Sequence, residues 1–285
     1  MYHRFTEVGG VEVFYREAGP VDAPVVLLPH GYPCSSYEFR TLMPALADRF
    51  RLLAPDFPGC GYSGTPDDFS YDFDGFAAFL GGFLDRLAVR RCVLWLHDLG
   101  SQIGLRLAIA RPEVVRGLVV QNGDVYEDEL GPGYAPLRAY WDDPTPERRA
   151  QLAEAVSEQG YREEFLNDVG AEHAARIPPD LWHLHWALTS ERRRTIATDV
   201  IAGLRDNLAW FPRYQAYLRE QQPPTLIVWG PRDRYMPAAA ARAYLRDLPA
   251  AELHLFDDGG HWLLETHLDE VVPLVRDFLT RLPRA

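Results

Sequence analysis

The chain has 285 residues, enough to bury a large core as one α/β domain with room for an inserted subdomain. Its formal net charge of -12 disfavours nucleic acid and anionic membranes as partners, and 47% hydrophobic with 25% charged residues fits a globular protein. All permanently cationic side chains are arginine, and without lysine neither a Schiff base nor a P-loop lysine is available. Residues 5–8 and 11–17 flank Gly9-Gly10 and read as a β-hairpin. Short apolar runs at 25–28, 51–55, 92–96 and 117–120 suit parallel strands buried on both faces. Between them, residues 36–47, 73–87 and 101–110 carry apolar side chains at helical spacing. This alternation predicts a mostly parallel sheet with right-handed crossovers.

From about 123 to 212 no strand is evident. Stretches such as 146–158 and 180–188 read as helices rich in Tyr and Trp and interrupted by Pro and Gly. The pattern of strands and helices then resumes: strand 225–229, helix 238–248, strand 252–256, and a helical stretch 263–282 that Pro273 should divide. The expected organisation is an α/β core of residues 1–122 and 213–285, with residues 123–212 inserted as a helical cap. Three widely spaced cysteines, Cys34, Cys60 and Cys92, match neither a disulfide framework nor a zinc spacing and read as free thiols in a reducing compartment. No metal or cofactor site is expected. The N-terminus has no signal-peptide run and no stretch is long and apolar enough to span a membrane, so a cytoplasmic protein is expected.

Chemistry concentrates after the strands. Leu96-His97-Asp98-Leu99-Gly100 follows a buried strand and opens a helix, the setting of a nucleophile elbow. The plainer alternative for Asp98 is a helix N-cap. Three other segments favour the elbow. His30-Gly31-Tyr32-Pro33 places the Tyr32 N–H to pair with that of Leu99 as an oxyanion hole. Asp233 ends a strand, and His261 follows the last one. The order nucleophile, acid, histidine is that of a hydrolytic triad on an α/β sheet, and all four segments lie past strand C-terminal ends. The run Gly59-Cys60-Gly61-Tyr62-Ser63-Gly64 mimics a dinucleotide loop but leads into a turn, so its glycines are expected to shape a loop below the site.

With these motifs the chain resembles the α/β-hydrolase superfamily over nearly its whole length, in the branch of epoxide hydrolases and haloalkane dehalogenases. The resemblance implies an α/β-hydrolase fold with a helical cap, a catalytic Asp98, His261 and Asp233, and Asp124 as the alternative orienting acid. It also marks departures. Leu96 stands where the family prefers a small residue. Leu99 and Tyr32 stand where many dehalogenases place the tryptophan and asparagine that hold a halide, and Leu99 and Gln102 where fluoroacetate dehalogenases carry arginines. Epoxide hydrolases match better and imply O–H donors from the cap. Tyr140 and Trp141 are the first candidates, with Tyr126, Trp186 and Trp210 as further pocket residues and Tyr214 or Tyr217 as substitutes for Phe211. The expected substrate is a hydrophobic or aromatic small molecule.

A carboxylate is ionised near neutral pH and needs no base to attack. On an ester carbonyl it would form an anhydride that reverts; on an sp3 carbon it forms a stable ester that water must cleave. The expected reaction is therefore opening of an epoxide to a vicinal diol, with dehalogenation through the same ester as the alternative. A non-catalytic or esterase-like member of the fold is the weaker reading.

Overall fold

The computed structural model describes residues 1–283. Eight strands form one sheet: β1 (Tyr2–Val8), β2 (Val11–Ala18), β3 (Val25–Leu27), β4 (Arg51–Pro55), β5 (Cys92–His97), β6 (Val115–Gln121), β7 (Thr225–Trp229) and β8 (Glu252–Leu255). Their spatial order is β1-β2-β4-β3-β5-β6-β7-β8. Only β1 with β2 and β2 with β4 pair antiparallel; all the other neighbours run parallel.

Alternate residues of the central strands feed two cores. Val26, Leu52, Val93, Trp95, Val119, Leu226 and Val228 face one side. Leu27, Leu53, Leu94, Leu96, Leu118, Val120, Ile227 and Trp229 face the other. Burial on both faces is why these strands read as unbroken apolar runs rather than as alternation.

The core helices are α1 (Leu42–Leu46), α2 (Phe73–Arg86) and α3 (Asp98–Ala110). The segment between β6 and β7 carries only helices: α4 (Ala135–Asp142), α5 (Pro146–Glu154), α6 (Glu158–Leu166), α7 (Ala171–Ala174), α8 (Asp180–Ala187), α9 (Glu191–Ala202), α10 (Leu204–Leu208) and α11 (Phe211–Gln221). The chain ends with α12 (Ala238–Asp247), α13 (Leu263–Thr266) and α14 (Leu268–Arg281). Among the described residues no helix is long and apolar enough to cross a membrane.

Three boundaries differ from the sequence reading. The stretch 36–47 splits into a 3-10 turn, Ser36–Phe39, and α1. The stretch 146–158 also divides, because Ser157 caps a new helix by accepting the Gly160 N–H. In the last stretch the break falls at His267, and Pro273 lies inside α14. Val271, Val275, Phe278 and Leu279 are all buried there, and their shared apolar face outweighs the one backbone hydrogen bond that proline removes.

Candidate active site

Asp98 sits at the turn from β5 into α3 with φ at 47°, a left-handed backbone rare for a residue with a side chain. The Asp98 N–H donates to the Asn122 carbonyl beyond β6, which holds the turn against the sheet. A Cβ added to Gly31 would lie 2.5 Å from Asp98 Cβ, so only glycine lets the two loops approach this closely. Leu96, the bulky residue before the turn, is accommodated by Gly104 one helical level up: a Cβ there would meet Leu96 Cδ2 at 2.6 Å. The departure at Leu96 is thus compensated within the chain.

The Tyr32 N–H donates to Asp98 Oδ1 at 2.6 Å. Leu99, the second expected donor, has its N–H in the first turn of α3, where no intrahelical carbonyl is available, and it makes no bond to the carboxylate here. Asp98 Oδ2 lies 3.6 Å from His261 Nε2, and that buried nitrogen has no hydrogen-bond partner. His261 Nδ1 is 2.7 Å from Asp233 Oδ2. Asp233 also accepts from the Asn122 side chain and from the Tyr235 and Met236 N–H groups.

Burial opposes charge on His261, but the Asp233 carboxylate beside it, with Asp98 and Glu164, outweighs this and pushes it up to about 10. Burial likewise opposes charge on Asp233, yet His261 and the donors around it hold its pKa below the usual carboxylate value. Asp124, the alternative acid, does not face the histidine. It accepts from the Tyr134 hydroxyl at 2.7 Å and from Gln102 Nε2 at 2.6 Å. Burial pushes its carboxyl up to about 7.

Behind the site, buried Glu38 joins three pieces. It meets His97 Nδ1 at 2.7 Å and accepts the Gly31 N–H at 3.1 Å. His97 Nε2 lies 3.1 Å from the His261 carbonyl. One carboxylate therefore ties the loop of Tyr32 to the loop of His261 through His97.

A cavity of about 540 Å³ opens over Asp98. Tyr32, Leu99, Gln102, Tyr134, Glu164 and Tyr235 line it with apolar Leu137, Leu152, Ile201, Leu204 and Met236. Tyr134 and Tyr235 bring their ring centroids within 5.8 Å of each other. They meet because Gly131 and Gly133 N–H groups donate to the Tyr235 and Arg234 carbonyls, fastening the start of the helical segment to the loop after β7. The Tyr235 hydroxyl donates to Glu164 Oε2 at 3.3 Å. Burial raises the Glu164 carboxyl to about 7, against the pull of His261 and Arg234.

The aromatic residues expected from the sequence lie elsewhere. Tyr140 packs at the edge of the core, outside the cavity. Trp141 stands behind Tyr134 and donates Nε1 to the Ala202 carbonyl. The Tyr126 hydroxyl donates to Asp247, Trp186 packs on Tyr161, and Trp210 lies against the guanidinium groups of Arg106 and Arg213. Tyr214 bonds Arg106 and Asn207, and Tyr217 is core. Each is held by packing or a polar partner that residue type alone does not reveal. Tyr235 did leave a trace: it stands two residues after Asp233, whose carboxylate accepts its N–H.

The Gly59–Gly64 run forms a closed loop around Asp56, whose carboxylate accepts the Ser36 and Tyr62 N–H groups. All three cysteines are free.

Residues 24–268 match the family model of the alpha/beta hydrolase fold. An uncharacterized hydrolase of Saccharomyces cerevisiae is 34% identical over 280 residues, spanning 94% of this chain and 93% of the relative. A cis-3-alkyl-4-alkyloxetan-2-one decarboxylase of Xanthomonas campestris is 27% identical, over 96% of this chain and 94% of the relative. Among solved structures, the haloalkane dehalogenase DbeA from Bradyrhizobium elkani superposes with a TM-score of 0.79 at 26% identity, covering 98% of this chain and 97% of that one. The chain belongs to the α/β-hydrolase fold family, in the branch that holds haloalkane dehalogenases and related hydrolases.

Proposed function

We propose that this hydrolase opens an epoxide to a vicinal diol through a covalent ester on Asp98. The observation that carries the reading is the meeting of Asp98 with two phenols, Tyr134 and Tyr235, in one cavity of mixed polar and apolar lining. Asp98 Oδ2 attacks a ring carbon, the C–O bond breaks, and the departing oxygen takes a proton from a phenol. Such donation contributes roughly 10²–10⁴ in rate. The phenol is recharged from the His261 imidazolium. Alkylation has by then removed the Asp98 charge, one of the causes that hold the proton on His261. The neutral imidazole, oriented by Asp233, takes a proton from water as it attacks the ester carbon. The Tyr32 N–H, already on Oδ1, stabilises the oxyanion, with the Leu99 N–H as the second donor; such a donor is worth about 3 kcal/mol. Collapse breaks the acyl C–O bond, and the alkoxide takes the carboxyl proton. The diol leaves with Asp98 ionised and His261 charged, as at the start.

Dehalogenation through the same ester is the second reading, favoured by the likeness to DbeA. Against it, Leu99 has no side-chain N–H to hold a halide. Intact-mass measurement of His261→Ala with an aromatic epoxide and with an alkyl halide separates the two. Gain of the whole substrate mass on Asp98 supports epoxide opening; gain of substrate less hydrogen halide supports dehalogenation. No adduct from either, with full turnover in Asp98→Ala, rejects both.

A further inference from the structure

His173 on α7, Asp258 on the loop between β8 and His261, and His267 at the start of α14 stand together, and none of the three lines the cavity over Asp98. His267 Nε2 is 3.1 Å from Asp258 Oδ1, and His173 Nε2 is 3.6 Å from Asp258 Oδ2. The three ligand atoms lie within 4.8 Å of one another. The two imidazoles thus reach different oxygens of one carboxylate, and a zinc ion with ligand bonds near roughly 2.0–2.1 Å would be held by one of those oxygens or by both. The His267 ring is fixed by its own partner, since Nδ1 meets the Thr266 hydroxyl at 2.7 Å. That contact turns Nε2 to the carboxylate, as the hydrogen-bond partners of metal-bound histidines do. The two imidazoles stand with centroids 5.0 Å apart and tilted by 53°. Asp258 is exposed, so an ion has an entry path and room for water.

We propose that His173, Asp258 and His267 form a divalent transition-metal site of zinc type, which clamps the helical segment to the loop that carries His261. The sequence reading expects no metal, because His173 lies far along the chain from Asp258 and His267 and the three match no recognisable ligand spacing. Two imidazoles and one carboxylate favour zinc over calcium or magnesium, which prefer oxygen ligands. The proposal is independent of the reaction at Asp98.

The test uses the full chain after chelator treatment, titrated with zinc chloride in a calorimeter, with cobalt(II) as a spectroscopic probe. The expected result is one zinc per chain, a melting temperature that rises with zinc concentration, and tetrahedral cobalt absorption. His173→Ala and Asp258→Asn each weaken binding at least about tenfold without altering the melting temperature of the metal-free protein much, since both lie at or near the surface. His267→Ala abolishes it. Absence of saturable binding at micromolar zinc overturns the proposal. So does equal binding by the native chain, His173→Ala and Asp258→Asn, which would leave the cluster a hydrogen-bonded contact only.

Discussion

The groups that reach Asp98 from the sheet and those that reach it from the helical segment are held in different ways. Tyr32, Asp98, Asp233 and His261 ride on short loops, each leaving a strand of the central sheet. Those loops are cross-tied by backbone and buried side chains: Asn122 to Asp233, Glu38 to Gly31 and His97, His97 to the His261 carbonyl. The helical segment offers Tyr134 and Glu164 from a 3-10 turn and from α6, and most of its other aromatics serve packing. One side fixes Asp98 and its polar partners through the sheet; the other shapes the space above them.

The comparison predicts a graded set of losses. Asp98→Ala should remove turnover, by about 10⁴-fold or more, because it removes the carboxylate held between the Tyr32 N–H and His261; steady-state rates on an epoxide measure it. Residual activity near native would break the contrast outright. Tyr134→Phe and Tyr235→Phe should slow ester formation, at least one of them by roughly 10²–10⁴, in single-turnover experiments. Trp210→Phe and Trp186→Phe, in the helical segment that follows Tyr134, should leave that rate within about twofold, since neither lines the cavity. If the tryptophans matter and the tyrosines do not, the assignment of the two sides is wrong.

Smaller effects sharpen the picture. Glu38→Gln keeps the volume but loses the carboxylate shared by Gly31 and His97. The rate constant kcat should fall roughly 10–100-fold with little change in KM, because positions of reacting groups shift and the pocket does not. Tyr126→Phe leaves Asp247 without one donor and should cost about 1 kcal/mol in denaturant unfolding with activity retained.

A titration completes the set. His261 is held charged up to about 10, against an ordinary 6.5. A proton bound more tightly in the folded chain adds stability that is fully present below about pH 6.5 and is lost as pH rises through about 10. In Asp98→Asn the midpoint of the His261 ring resonances should move down, since one neighbouring anion is gone. An unmoved midpoint would show that alkylation cannot convert this histidine into a base.

Much of this was legible beforehand because the signals were local. Apolar runs of strand length, the turn residues after them and the order Asp98, Asp233, His261 depend on neighbours in the chain, and the structure places those side chains within reach of each other. The cavity lining was not legible, because it depends on which side of a helix faces Asp98. Tyr140 and Trp141 are adjacent in sequence to the productive region and yet turn away, while Tyr134 turns in.

The sequence by itself determined the parallel sheet, the all-helical stretch between β6 and β7 and the elbow at Asp98, because periodicity and turn chemistry act over a few residues. Tertiary structure decided that Gly104 makes room for Leu96, that Asp124 serves Tyr134 rather than His261, and that Tyr235 faces Tyr134. Each of these is a contact between distant stretches, and only the packed chain selects among the many such contacts that residue types alone allow.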